Sequence, residues 1–536
     1  MSRSIRTKRA RTLVAAVLVM ALGGLSACSD GGDGKSPDAS APGSGSSASD
    51  APGPDGSGLP ASLTGQKLAW EACGAPTAAQ GAFGGAPGDG WECATMKAPL
   101  NYAEPTGGTI DLALIRAKST GKGKRIGSLL FNFGGPGGSG VASLPAFEED
   151  YSTLRGRYDL VSFDPRGVGE SAGVRCLDGE DLDAYHTVDN SPDDDAELEA
   201  VRAANKTYVE ACRKNSGTVL PYVDTVSAAR DMDLMRQVLG DEKLHYFGIS
   251  YGTELGGVYA HLFPKKVGRS VLDAVVDPTE DPVEGAIAQA EGFQLALDNY
   301  MADCAADSEC PTGQGGAEGS RKIAALLKQL DEQPLAVGDR KLTQDLAVTG
   351  IAAALYDQET WEYLTIALDE AMNQGSGETL LLLADSYLGR DPAGRYSNLH
   401  AANRAINCVD DKQRYTAEQA RARLPEFREA SPVFGEFMAW GMLGCTDWPA
   451  AGRSERPEVG AEGAAPIVVI GNTGDPATPY EGARKMARAL GDDVGVMVTL
   501  KGEGHGGYNS GNSCLKKAVD AYLLDGKVPA QNTTCS

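Results

Sequence analysis

The sequence predicts an α/β fold, a doubly wound and mostly parallel sheet with an inserted helical cap, on three observations. From about residue 61 to 279, short apolar runs alternate with helical stretches, as strands joined by crossover helices do. From 280 to about 445, long helical patterns dominate and strand-like runs are scarce. From 466 the alternation of strand and helix resumes. The helical block is therefore read as a cap (280–445) inserted between two parts of one sheet domain (61–279 and 446–536). A chain of 536 residues with 42% hydrophobic content can bury a core of that size.

Ahead of the sheet lie two segments outside any core. Arg3, Arg6, Lys8, Arg9 and Arg11 precede a short apolar run from Leu13 to Leu25, a pattern too short to read first as a spanning helix. It ends Leu25-Ser26-Ala27-Cys28, which resembles the bacterial lipobox. That resemblance implies removal of residues 1–27 and lipidation of Cys28; an ordinary signal peptide cut near Ala27 is the alternative. Residues 28–60 are nearly all Ser, Gly, Asp, Pro and Ala and carry no apolar period, so they read as a tether. An exported, outward-facing, membrane-anchored protein is expected, with release to the medium as a variant of the same reading.

Cysteine usage agrees with export. Eleven cysteines less Cys28 leave an even set, which outside the cytosol reads as five disulfides. The simplest connectivity pairs neighbours in order: Cys73–Cys93, Cys176–Cys212, Cys304–Cys310, Cys408–Cys445 and Cys514–Cys535. No cysteine or histidine grouping has zinc spacing, so neither metal nor cofactor is expected. A net charge of −24 disfavours nucleic acid as a partner and suits a substrate that carries a free amine.

In chain order, the run 126–133 is a buried strand opening into Gly134-Gly135-Pro136-Gly137-Gly138-Ser139-Gly140. Tyr158 to Phe163 is a second, ending in Asp164-Pro165-Arg166-Gly167. A helix over 227–239 precedes a strand that runs into Gly248-Ile249-Ser250-Tyr251-Gly252, followed by a small-residue helix. Strand, sharp turn and helix form the setting of a nucleophile elbow, in which residues two before and two after the serine must lack bulk. Further strands are expected at 269–276, 466–471 and 495–500, and helices at 284–303, 320–330, 360–372, 480–490 and 514–524.

A serine nucleophile needs a base, and the base an orienting carboxylate. Among five histidines, His245 lies inside a strand and His186, His261 and His400 lack glycine punctuation; His505 stands in Gly502-Glu503-Gly504-His505-Gly506-Gly507, after a strand. Asp475 follows the strand before it, in Gly471-Asn472-Thr473-Gly474-Asp475-Pro476. The order Ser250, Asp475, His505, each after a strand, is that of the α/β-hydrolases. The amides of Tyr251 and Gly135 are the candidates for an oxyanion hole. The glycine run lacks the Gly-Lys-Ser/Thr ending of a phosphate loop.

These residues resemble a known family. Gly134 to Gly140, Phe163-Asp164-Pro165-Arg166-Gly167-x-Gly169-x-Ser171, Gly248 to Thr253, and Gly471-x-x-x-Asp475-x-x-Thr478-Pro479 look like the secreted tripeptidyl aminopeptidases of actinobacteria, in their lipoprotein, mycelium-associated branch. The resemblance runs from about residue 65 to the end and includes Cys445-Thr446-Asp447-Trp448-Pro449. It implies an α/β-hydrolase fold, the triad Ser250, Asp475 and His505, and removal of short peptides from free amino termini of peptides or proteins. The related prolyl aminopeptidases carry His where this chain has Phe133, so their substrate preference is not carried over. Glu280, Asp410 and Asp411 are candidates for recognising the substrate amine. Activity is expected to fall between about pH 6 and about pH 5 as His505 protonates. An esterase or lipase with the same triad is the alternative reading, and a lipoprotein that binds peptides without cleaving them is a third.

Overall fold

The computed structural model describes residues 58–81 and 85–536. The expected signal sequence, Cys28 and nearly all of the proposed tether lie outside the described residues. The chain folds around a ten-stranded mixed sheet. Its first strands are β1 (Glu71–Ala72), β2 (Trp91–Pro99), β3 (Thr109–Ala117), β4 (Gly127–Asn132) and β5 (Tyr158–Phe163), followed by β6 (Leu244–Ile249) and β7 (Val267–Asp273). A small hairpin, β8 (Leu335–Val337) and β9 (Arg340–Leu342), stands apart, and β10 (Ile467–Gly474), β11 (Gly495–Glu503) and β12 (Thr533–Cys535) complete the sheet.

The spatial order is β1-β2-β3-β5-β4-β6-β7-β10-β11-β12. Pairings from β5 through β4, β6, β7, β10 and β11 to β12 are parallel, whereas β1, β2 and β3 join antiparallel, as does β3 to β5. The central strands are buried on both faces, which is why they read as continuous apolar runs. On β3 the alternation of Ile110, Leu112 and Leu114 turns one face into the core.

Two apolar clusters cover the faces of the sheet. One includes Leu130, Val161, Met232, Leu255, Leu272 and Val469; the other gathers Phe131, Tyr151, Phe247, Tyr508 and Leu515. Between β7 and β10 the helices Pro282–Cys304, Gly316–Glu332, Gln344–Leu355, Trp361–Asp369 and Glu378–Leu388 form their own core, with Leu297, Ile323, Ile351 and Leu364. Helix Leu399–Asp410 behaves differently. Its Ala402, Ala405, Ile406 and Val409 join the sheet cluster, and the preceding Asn398 donates to the Gly167 carbonyl at 2.9 Å while accepting from the Gly169 amide at 2.9 Å.

Disulfides join Cys73 to Cys93, Cys176 to Cys212, Cys304 to Cys310, Cys408 to Cys445 and Cys514 to Cys535. The fourth ties helix Leu399–Asp410 to the segment that leads back to the sheet.

Candidate active site

Ser250 stands between β6 and helix Tyr251–Leu262 with φ 58° and ψ −128°, a conformation an L-residue holds only where its surroundings enforce it. The Ser250 amide donates to the Asp273 carbonyl at 3.0 Å, and its own carbonyl accepts the Thr253 amide at 2.7 Å and the Thr253 hydroxyl at 2.6 Å. The flanking glycines answer to contact as well as to conformation. A Cβ on Gly248 would lie 2.3 Å from the Gly252 carbonyl oxygen, and one on Gly252 2.6 Å from that of Asn132.

The glycine loop after β4 passes directly over this elbow. A Cβ on Gly134 would come within 2.6 Å of the Ile249 carbonyl oxygen and 2.7 Å of the Ser250 Cβ. The Gly134 amide is occupied by the Asn132 side chain at 3.0 Å, while the Gly135 amide meets no protein acceptor among the described residues. Tyr251 takes the first position of its helix, where an amide has no intrahelical acceptor. A Cβ on Gly134 would also lie 3.2 Å from the Tyr251 nitrogen, so the glycine loop borders the start of this helix. The Tyr251 phenol is buried and lies 2.5 Å from the Thr225 hydroxyl.

Asp164 and Arg166 belong to the second glycine-bearing motif, and Asp164 holds the end of this loop. Asp164 accepts from the Ser139 hydroxyl at 2.6 Å, the Val141 amide at 3.2 Å and the Gln80 amide group at 2.8 Å. Arg166, fully buried, makes two 2.7 Å bonds to Asp231 and donates to the carbonyls of Pro99, Leu100 and Tyr222. The pair clamps strand ends; it does not open onto the serine.

Asp475 and His505 follow the neighbouring parallel strands β10 and β11. His505 Nδ1 lies 2.9 Å from Asp475 Oδ1 and 3.1 Å from Oδ2. Asp475, 2% exposed, also accepts the amides of Ala477, Thr478 and Gly506 at 3.0, 2.9 and 3.3 Å. Two residues given no role in the sequence hold the histidine as well. The Thr478 hydroxyl lies 3.4 Å from Nδ1, and Tyr356, reaching down from the helical insertion, accepts the His505 amide at 2.7 Å and sets its ring edge-on to the imidazole. Burial alone would lower the His505 pKa; the adjoining Asp475 anion, with Asp273 behind it, outweighs burial and holds it above the ordinary histidine value. No hydrogen bond joins the Ser250 hydroxyl to His505 among the described residues, a gap common in ligand-free sites. His245 keeps a structural role: its Nδ1 accepts the Arg269 amide at 3.0 Å, and burial lowers its pKa to about 4.

Glu280, Asp410 and Asp411 all line one cavity of about 1050 Å³ between helix Tyr251–Leu262 and the helical insertion. Each already has a partner. Glu280 accepts from Lys485 at 2.6 Å, Asp410 from the Thr225 amide and hydroxyl at 2.8 and 2.6 Å, and Asp411 from the Gln413 amide at 2.8 Å. Glu254, on the same cavity wall, accepts no hydrogen bond among the described residues, and burial pushes its pKa up to about 7. It lies one helical turn beyond Ser250, a rise of about 6 Å. In sequence it reads as an ordinary helix-face glutamate.

An elbow serine, a carboxylate-bound imidazole and loops gathered at the carboxyl ends of parallel strands define a class, the serine hydrolases of α/β-hydrolase fold. Comparison with known proteins narrows it. Residues 431–535 match the family model described as TAP-like protein. The chain is 39% identical over 465 residues to the serine protease Hip1 of Mycobacterium tuberculosis, covering 83% of this chain and 87% of that protein. It is 36% identical over 462 residues to a protein named carboxylesterase B from the same species, covering 83% and 86%. With the tripeptidyl aminopeptidase of Streptomyces lividans it shares 32% identity over 461 residues, 83% of each. The chain belongs to the TAP-like family of α/β-hydrolases, and it is a serine hydrolase.

Proposed function

We propose that this chain is an exported serine peptidase that removes short peptides, tripeptides in the family's manner, from free amino termini. The observation that carries the catalytic part is the His505–Asp475 contact at 2.9 Å on loops after adjacent strands, beside a serine held on a strained elbow. His505 takes the Ser250 hydroxyl proton through Nε2 while the serine oxygen attacks the scissile carbonyl. The Gly135 and Tyr251 amides receive the oxyanion. Collapse returns the proton to the leaving amine, and water then releases the acyl-enzyme by the same route in reverse order. Asp475 fixes the tautomer that leaves Nε2 open, because its carboxylate occupies Nδ1.

The amine end of the substrate is assigned to the acidic cavity. Glu254 is the carboxylate left without a donor among the described residues, and Glu280, Asp410 and Asp411 line the same cavity. An α-ammonium there would meet a charge-assisted acceptor. Five disulfides support an oxidising compartment. A lipid on Cys28 with residues 28–60 as its tether completes the reading: a catalytic domain, with the helices of 280–445 as cap, held outside a membrane.

The test offers Ala-Pro-Ala-p-nitroanilide with a free amine and the same peptide acetylated. Cleavage of the free form alone is expected; equal cleavage of both would remove the aminopeptidase reading. The likeness to a protein named carboxylesterase B supports one second reading, an esterase at the same serine. Hydrolysis of p-nitrophenyl butyrate with neither peptide cleaved would establish it.

A further inference from the structure

One residue outside the proposed triad touches the segments that carry it. Asp273 ends β7, in register with Ile249 of β6 on one side and Ile470 of β10 on the other. Its main-chain carbonyl accepts the Ser250 amide at 3.0 Å. Its carboxylate accepts the Gly507 amide on Oδ1 and the Tyr508 amide on Oδ2, both at 2.8 Å, two and three residues past the histidine. Asp273 is 3% exposed and, among the described residues, forms no ion pair. The loop it holds has little room to shift: a Cβ on Gly507 would meet Leu515 at 2.7 Å and Ile470 at 2.9 Å. Tyr508, the other residue held, stacks on Tyr151 at 5.6 Å beneath the site.

We propose that Asp273 is a positioning residue for the hydrolytic reaction, setting the Ser250 elbow and the His505 loop in fixed relation and standing behind the imidazole as a second anion. The proposal rests on the Ser250–His505–Asp475 reading. The main-chain bond locates the elbow strand; the forked side-chain pair locates the loop that delivers the base. A carboxylate with two amide donors and no cation has negative charge to spare, and the ionisable groups around it are His505, Asp475 and the Tyr151 phenol. As the serine proton moves to His505, the imidazolium forms in the field of two carboxylates rather than one. A purely structural turn anchor would leave the proton affinity of the base unchanged, which separates the two roles.

Asp273→Asn keeps the shape but removes the charge and turns one acceptor into a donor facing an amide. In the full chain, the rate of Ser250 capture by a fluorophosphonate is measured from pH 5 to 9 for the wild type and for this variant. Capture by the variant is expected to be about tenfold to a hundredfold slower, because a misplaced base costs that much. Its acid limb is expected to move to lower pH, by about half a unit, as His505 loses one favourable charge. An unchanged rate, or a slower rate with an unmoved acid limb, overturns the proposal. A wild type that no fluorophosphonate labels would instead overturn the triad reading beneath it. Hydrogen exchange of the wild-type segment 504–512 tests the same bonds should the variant not fold: slow exchange at Gly507 and Tyr508 is expected, and exchange as fast as that of exposed loops overturns the proposal.

Discussion

His505 shows most directly how neighbours set the chemistry of a side chain. A histidine of ordinary pKa would place the acid limb of activity near pH 6, as its type alone predicts. The structure moves it. Its proton affinity is raised by Asp475 against the effect of burial, and the base must be neutral to act. The acid limb of kcat/KM is therefore expected above about pH 6.5, the unperturbed histidine value; a limb below pH 6 would show that the imidazole does not feel those carboxylates. Asp475→Asn is expected to lower kcat by about four orders of magnitude with KM little changed, since the wrong tautomer then faces the serine. Glu254→Gln is expected to raise KM for the free-amine peptide about tenfold or more, through loss of a charge-assisted hydrogen bond, and to leave ester hydrolysis unaffected. The candidate triad Ser250, Asp475 and His505 was legible as a constellation because each sits on a glycine-marked loop after a strand. Glu254 and Asp273 were not: one lies inside a helix, the other at a strand end, where an acid of any role reads alike.

At the scale of elements, the parallel core was legible as apolar runs separated by helical periods. The antiparallel edge was not read, since β2 and β3 follow one another with no helix between and so break the alternation that identified the rest. Helix Leu399–Asp410 shares the composition of the inserted helices, yet packs with the sheet, because Asn398 and the Cys408–Cys445 bridge hold it there. Its carboxyl end supports Tyr251 through Asp410 and Thr225, which links this helix to the start of the helix after Ser250. The motif around Arg166 was a recognition signal in sequence, and in the fold it is a clamp. Arg166→Met leaves Asp231 buried without its cation, the Tyr102 hydroxyl alone still donating to it, and is expected to cost about 3–5 kcal/mol in urea unfolding, with the KM of the surviving folded fraction unchanged.

For the whole molecule, buried acids set how stability varies with pH. Asp345 and Glu254 are pushed up to about 7 and Asp273 to about 6, in each case first by burial. An acid whose folded pKa exceeds its unfolded one stabilises the fold as pH falls through the folded value. His186 and His245, both lowered to about 4 by burial, act in the opposite sense once the unfolded chain binds protons below about pH 6.5. The thermal midpoint is therefore expected to rise from about pH 8.5 to about pH 6.5 and then to level off. A midpoint that does not rise across that interval would mean these carboxylates are solvated in the native state.

The central claim is that Ser250 is the nucleophile of a hydrolase, and one measurement meets it directly. The protein is inactivated with a fluorophosphonate, digested, and the modified residue located by mass spectrometry. The account predicts one adduct, on Ser250, formed in step with the loss of activity and absent after Ser250→Ala. An adduct on another residue, or full activity in the Ser250→Ala protein, would contradict it.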